Sequence, residues 1–184
     1  MDNLYVALVH YPVTNKRGKV VGSALTTMDL HDIARACKTF GVRGFFVVTP
    51  YEDQAVLADQ VIRHWTKGVG KELNPHRKMA LELITLSESL DEAVKMVETG
   101  NRMPAVTVAT SARDLEETVT PKELKETPMG QTPHILVFGT AWGLTDEVIE
   151  ACDLRLAPIK GAGDYNHLSV RSAVSIYLDR LTNG

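Results

Sequence analysis

Apolar residues along the chain fall into short dense runs, separated by longer stretches in which they recur at helical spacing. Leu4 to Val9, Gly44 to Val48, Ala105 to Ala109 and His134 to Phe138 read as strands apolar on both sides, as in a buried parallel sheet. Leu81 to Leu86 and Asp153 to Ala157 complete the expected set of strands. Between them, Leu30, Ile33, Ala34 and Cys37 mark a helix over Asp29 to Thr39 that Gly41 stops. Thr49-Pro50 opens a helix through Trp65, with Val56, Leu57, Gln60, Val61 and Trp65 on or near one face. Ser89 to Glu92 is a capping box for a helix to Glu98, and Thr120-Pro121-Lys122-Glu123 is another capped start. The last helix, Leu168 to Leu181, carries Val170, Ala173, Val174, Tyr177, Leu178 and Leu181 on one broad face. Strands alternating with helices predict an α/β fold: a mostly parallel sheet with helices on both faces.

Two stretches read as loops. His10 to Thr27 is long for a compact α/β domain, and ordered loops of that length tend to be functional. Lys67 to Lys78 bears glycines and is basic: with Arg63 it gathers Lys67, Lys71, Arg77 and Lys78 against Glu72. It is either a solvated loop or a phosphate-contacting surface.

The 184 residues suit one domain, residues 1 to 184, with a sizeable core. A net charge of −3 excludes a bulk polyanion binder, so any nucleic-acid contact has to be local. No apolar run approaches the roughly 20 residues that cross a bilayer. Met1 to Leu4 lacks the regions of a signal peptide, and no membrane role is expected. Cys37 and Cys152 form no C-x-x-C pair and read as buried thiols of a cytoplasmic protein. The histidines show no metal-ligand spacing, and no metal is expected; His134 and His167 read as hydrogen-bonded core or loop residues.

Familiar phosphate and hydrolase motifs fail. Gly161-Ala162-Gly163-Asp164-Tyr165-Asn166 has Asn166 where the dinucleotide fingerprint needs a third glycine, and only one helix follows it. No Walker A loop, G-x-S-x-G elbow or H-E-x-x-H helix is present, which leaves a nucleotide-dependent hydrolase without support. What remains are three loops at strand ends: Thr110-Ser111-Ala112-Arg113, Gly139 to Leu144, and Lys160 to His167. Glycines there let main-chain groups approach a flat ligand, and a ring lined by Leu144, Ile159 and Leu168 would suit an adenine.

Three stretches then resemble the SPOUT superfamily of S-adenosylmethionine-dependent RNA methyltransferases, and in particular a small single-domain bacterial family within it. They are Leu136-Val137-Phe138-Gly139-Thr140-Ala141-Trp142-Gly143-Leu144, the segment from Leu156 through Pro158, Ile159, Gly161, Tyr165, Asn166, His167, Leu168 and Ser169 to Ala173, and Asp29 to Gly41. The last matches the pattern N-x-G-x-x-x-R before a helix ending in Phe-Gly, with Asp29 for the Asn and His31 for the Gly; Ser169 replaces an Asn of the last-helix motif. In the small family the likeness extends to His10-Tyr11-Pro12-Val13 and Asn74-Pro75-His76-Arg77-Lys78, and so to nearly the whole chain.

The resemblance implies a C-terminal half threaded into a deep trefoil knot, and a homodimer whose active site uses both subunits. It implies S-adenosyl-L-methionine as cofactor, bound through Thr110, Ser111, Ala112, Phe138, Gly139, Thr140, Gly143, Leu144, Pro158, Ile159, Gly161, Tyr165, Asn166, His167, Leu168 and Ser169. The expected activity is methyl transfer to tRNA or rRNA, at a ribose 2′-oxygen or a base nitrogen; the alternative is a non-catalytic cofactor-binding scaffold or sensor. Arg35, reaching the methyl from the partner subunit, is expected to position an RNA phosphate or the acceptor, since its pKa makes it a poor base. Asp29 and Asp32 are the candidate bases for a ring nitrogen, with Glu147 and Asp164 behind them. The apolar face of the last helix fits either the dimer interface or the protein's own core.

Overall fold

The computed structural model describes residues 3–163 and 165–183, so Asp164 lies outside the described residues. The elements in order are β1 Leu4–Val9, β2 Val13–Thr14, β3 Val20–Val21, α1 Thr27–Thr39, β4 Gly44–Val48, α2 Glu52–Thr66, α3 Gly70–Leu73, α4 Pro75–Leu81 and β5 Ile84–Ser87. They continue with α5 Leu90–Asn101, β6 Val106–Thr110, β7 Thr118–Val119, α6 Pro121–Glu126, β8 His134–Gly139, α7 Asp146–Ala151, β9 Leu154–Leu156 and α8 Val170–Thr182. Seven strands form one sheet in the order β5-β4-β1-β8-β6-β9-β7, with every neighbouring pair parallel.

Strand alternation sends side chains to two cores. From β1, Leu4, Val6 and Leu8 join one layer with α1 and α8, while Tyr5, Ala7 and Val9 join the other with α5 and α7. β8 divides likewise, Leu136 and Phe138 to the first layer, Ile135 and Val137 to the second. Each Leu, Val, Ile or Phe among them taken wholly out of water contributes about 1.5–3 kcal/mol, so the central strands anchor the fold.

Two insertions shape the site. β8 lies between β1 and β6 although it follows β6 in sequence, and β9 lies between β6 and β7. Because the strands are parallel, Val9, Gly139, Thr110 and Leu156 end at one edge, and ligands of open α/β sheets sit at that edge.

The α8 face takes one of the two roles open to it, and the α2 face needs correction. The apolar face of α8 is spent inside the chain: Val174, Tyr177, Leu178 and Leu181 are buried in the first core layer. On α2 the buried residue is Ala58, packed with Val61, Ile62 and Trp65, while Val56 and Leu57 stand 49% and 39% exposed. The face is turned because α3 and α4 pack on α2, and the Trp65 ring lies so close to Gly70 that an added Cβ would sit 2.6 Å from it.

Lys67 to Lys78 is not a loop: α3 and α4 run through it. The overlooked signal was Asn74-Pro75, an N-cap whose side chain accepts from Arg77 N at 3.0 Å, followed by proline in the first turn. The long loop after β1 contains the β2–β3 hairpin, whose two-residue strands are too short to read by periodicity.

Candidate active site

The loops after β8, β6 and β9 leave three neighbouring strands at one edge, and polar contacts join them. Asn166 Nδ2 donates to the Ala112 carbonyl at 2.9 Å, linking the third loop to the first. Lys160 pairs with Asp114, and Arg113 with Asp146 at 2.8 Å. Thr110 Oγ1 donates to the Val137 carbonyl at 2.9 Å, closing the seam between β6 and β8. The third loop is also tied to α8, because the Tyr177 hydroxyl donates to the Ala157 carbonyl at 2.9 Å. Burial pushes that phenol up to about 12, so it stays a donor.

The second loop is a forced turn. A Cβ on Gly139 would lie 2.4 Å from Leu144 N and 2.6 Å from the Gly143 carbonyl carbon, both backbone atoms. Ala141 and Gly143 adopt φ of 51° and 103°, values L side chains rarely accept. The turn is held from outside: Thr14 N donates to the Gly143 carbonyl at 2.9 Å, and Trp142 N donates to the Thr14 carbonyl at 3.0 Å. Thr140 Oγ1 donates to the Val9 carbonyl at 3.0 Å and also meets Ser23 Oγ, which in turn lies 3.0 Å from His10 Nδ1. His10 is 1% exposed and its Nε2 has no partner. Burial pulls its pKa down, against smaller upward pulls from Asp29 and the Ser23 hydrogen bond, so the ring is neutral at pH 7.

The residues singled out from sequence therefore split in two. Ser111, Ala112, Gly139, Thr140, Gly143, Pro158, Gly161, Tyr165, Asn166, His167, Leu168 and Ser169 retain accessible surface around the three loops. Thr110, Phe138, Leu144 and Ile159 have buried side chains that support the loops from beneath. The expected apolar wall accordingly changes: Leu144 sits in the second core layer and Ile159 in the first, leaving Leu168, 47% exposed, as its accessible member. Ser169 acts as N-cap of α8, accepting from Ser172 N at 3.2 Å. His134 lies at the opposite end of β8, bonded to the Thr132 carbonyl at 2.8 Å. His167 packs edge-on against Tyr165 with ring centroids 5.3 Å apart.

Asp29 is likewise spoken for. It is 7% exposed; its Oδ2 accepts from Thr26 Oγ1 at 2.6 Å and its Oδ1 from Arg171 Nη1 at 2.8 Å. Arg171 reaches Asp32 more loosely, at 3.4 Å, and Asp32 remains exposed. Arg35 lies on the same helix, but among the described residues no hydrogen bond or ion pair joins it to the three loops. It lines a cleft of about 490 Å³ between α1 and α4. A second cleft, of about 770 Å³, lies between α5 and α7 and includes Leu90, Val94, Thr107 and Val148. Among the described residues of the three loops, none lines either cleft. Thr14, Ser23 and Arg171 were not foreseen in these roles, because their partners lie 117 to 142 positions away in sequence.

The parallel sheet thus brings a glycine turn and two adjoining loops to one edge, where open α/β sheets hold their ligands. The sequence profile described as "SAM-dependent RNA methyltransferase" matches residues 3–183, and the chain belongs to that family.

A tRNA (guanine-N(1)-)-methyltransferase of Oleidesulfovibrio alaskensis is 45% identical over 179 residues, 97% of this chain but 42% of that one. The chain thus spans under half the length of that relative. An uncharacterized protein of Aquifex aeolicus is 38% identical over 181 residues, covering 98% of this chain and 88% of its own. The crystal structure of the Aquifex aeolicus TrmH/SpoU tRNA modifying enzyme shares the fold, with a TM-score of 0.58 and 19% identity over 99% of this chain and 75% of that one. Among the described residues, no helix is long and apolar enough to cross a membrane.

Proposed function

We propose that the chain transfers a methyl group from S-adenosyl-L-methionine to a nucleotide of tRNA or rRNA, at a ribose 2′-oxygen or a base nitrogen. The observation that carries this reading is the junction of three strand-end loops around the Gly139 turn, in a chain whose family is defined by that cofactor. The donor set suits the cofactor: main-chain groups and glycines for an adenine, the exposed Leu168 against its face, and Ser111 and Asn166 for hydroxyl and carboxylate groups. When bound, the cofactor supplies an electrophilic methyl on a sulfonium.

The chain's part is to position and to accept a proton. Arg35 steers the acceptor or its phosphate; its place in a cleft apart from the loops supports a homodimer in which one protomer lends Arg35 to its partner's loops. Asp32 takes the proton of a ring-nitrogen acceptor, being more open than Asp29, whose carboxylate is held by Thr26 and Arg171. The insertion of β8 between β1 and β6, and of β9 between β6 and β7, supports a knotted C-terminal half. The buried free Cys37 and Cys152 support a reducing, cytoplasmic setting. The guanine-N1 activity named for the Oleidesulfovibrio relative belongs to a chain more than twice as long, and the present site is not assigned to that atom.

Calorimetry with S-adenosylmethionine and S-adenosylhomocysteine, followed by methyl transfer to RNA from a strain lacking the gene, tests the reading. Micromolar binding and transfer are expected, with Arg35→Ala abolishing transfer but not cofactor binding. No binding of either compound overturns it, and binding without transfer leaves the scaffold.

A further inference from the structure

The cleft between α1 and α4 gathers positive charge without neutralising it. Arg35 and Lys38 come from α1 and Arg77 from the first turn of α4, with His76 beside it, and among the described residues no carboxylate lines it. Elsewhere the chain pairs its cations readily, Arg63 with Asp59 and Arg113 with Asp146 among them. Among the described residues Arg35, Lys38 and Arg77 enter no ion pair. Unpaired like charges converging in a recess repel one another, so an anion entering it is favoured by all of them at once.

Arg77 is also built in rather than waving in solvent. Its guanidinium carbon lies 4.3 Å from the centroid of the Trp65 ring, within cation–π range. Trp65 is fixed in turn, edge-on to His64 with centroids 4.9 Å apart and to His31 at 5.9 Å, over the bare Cα of Gly70. Among the described residues, the Arg77 Nε is buried without a partner, and its terminal nitrogens make no hydrogen bond. A stacked guanidinium with a preset plane and free donors matches the paired oxygens of a phosphate.

We propose that this cleft seats a backbone phosphodiester of the RNA, as a docking subsite apart from the three loops of its own chain. RNA is favoured over a free phosphate because Arg35, assigned above to steer the acceptor, lines the same recess: a phosphate held there belongs to the strand that presents the acceptor. The proposal rests on the RNA reading above. It explains how a chain of net charge −3 contacts RNA, namely through one local cluster rather than through its overall field.

Fluorescence anisotropy with end-labelled bulk tRNA and fragmented rRNA, from 50 to 200 mM KCl, tests it. Arg77→Ala and Lys38→Ala are each expected to weaken binding about three- to tenfold at low salt and to reduce the slope of log K against log salt by about one. Arg77→Lys should recover the salt slope but only part of the affinity, because it restores the charge without the planar stack. Lys122→Ala, on α6 and outside the cleft, should change neither. S-adenosylmethionine affinity should stay unchanged in all four, which shows that they are folded. An Arg77→Ala/Lys38→Ala double variant with wild-type affinity and slope overturns the subsite. A wild-type chain that binds no RNA at 50 mM KCl overturns both it and the RNA reading. RNA binding that depends on the cleft, in a chain that binds no S-adenosylmethionine, removes the methyltransferase reading and leaves the subsite standing.

Discussion

Arg171 on α8 holds Asp29 on α1 at 2.8 Å, a bond across 142 positions of chain that fastens the last helix to the first. The carboxylate side chain is 11% exposed and the guanidinium 31%, so the pair is largely, though not wholly, withdrawn from water. Removing Arg171 leaves a buried carboxylate with only Thr26 for support. Arg171→Ala is expected to lower unfolding stability by about 1–3 kcal/mol in urea titrations. A loss below about 0.5 kcal/mol would mean the pair is a surface contact.

The same geometry separates structure from chemistry at Asp29. General bases contribute typically 10²–10⁴ in rate. Asp29→Asn is expected to lower the melting temperature while reducing kcat less than about tenfold, whereas Asp32→Asn should show the larger kinetic loss on a ring-nitrogen acceptor. Single-turnover kinetics at saturating cofactor measures both, and a hundredfold drop for Asp29→Asn would return the proton-accepting role to it.

Two glycines in neighbouring loops should respond in opposite ways. Gly139→Ala drives a Cβ against the backbone of Gly143 and Leu144, whereas the Cβ of Gly163→Ala meets nothing within 4 Å. The first should cost about 2 kcal/mol or more and raise the cofactor dissociation constant at least tenfold. The second should leave stability within about 0.5 kcal/mol. Equal cofactor affinities in calorimetry would show that the Gly139 turn does not shape the binding site.

His10 and His134 are both held neutral by burial, their pKa values below the usual histidine range. In the unfolded chain each binds a proton near pH 6.5, while the folded chain resists it. Their contribution to stability is therefore full above about pH 6.5 and is lost as pH falls from there through the lowered folded values. Urea midpoints at pH 7.5 should exceed those at pH 5.5, and the gap should narrow in His10→Asn. An unchanged gap in that variant would place the proton uptake elsewhere.

The sequence made some of this plain and concealed the rest for physical reasons. β1 and β8 are continuous apolar runs because both their faces are buried, and Leu4–Val9 reads directly from the chain. The glycines of the second loop were legible as a turn; that Gly139 faces backbone atoms was not, because closeness is a property of the folded turn. The α2 face was misjudged since periodicity marks an apolar stripe but not which helices arrive to cover it. Thr14, Ser23 and Arg171 act on partners over a hundred positions away, and no local pattern encodes such a distance. In the cleft, the cations of Lys67 to Lys78 were visible as charge, yet Arg35 and Lys38 join them only through the packing of α1 on α4.

The strand order also has a consequence for how the molecule comes into being. β1 is made well before β8, and one of its two flanks is open until β8, beginning at His134, slides in beside it. Until then β1 and β6 each present a bare hydrogen-bonding edge, the kind of surface that recruits another chain. Such distant pairing also delays folding, since a long loop must close before it is rewarded. A chain stopped before β8 would therefore carry a sticky half-sheet without the Gly139 turn, so that the three-loop junction and protection from aggregation arrive together, with β8 and β9.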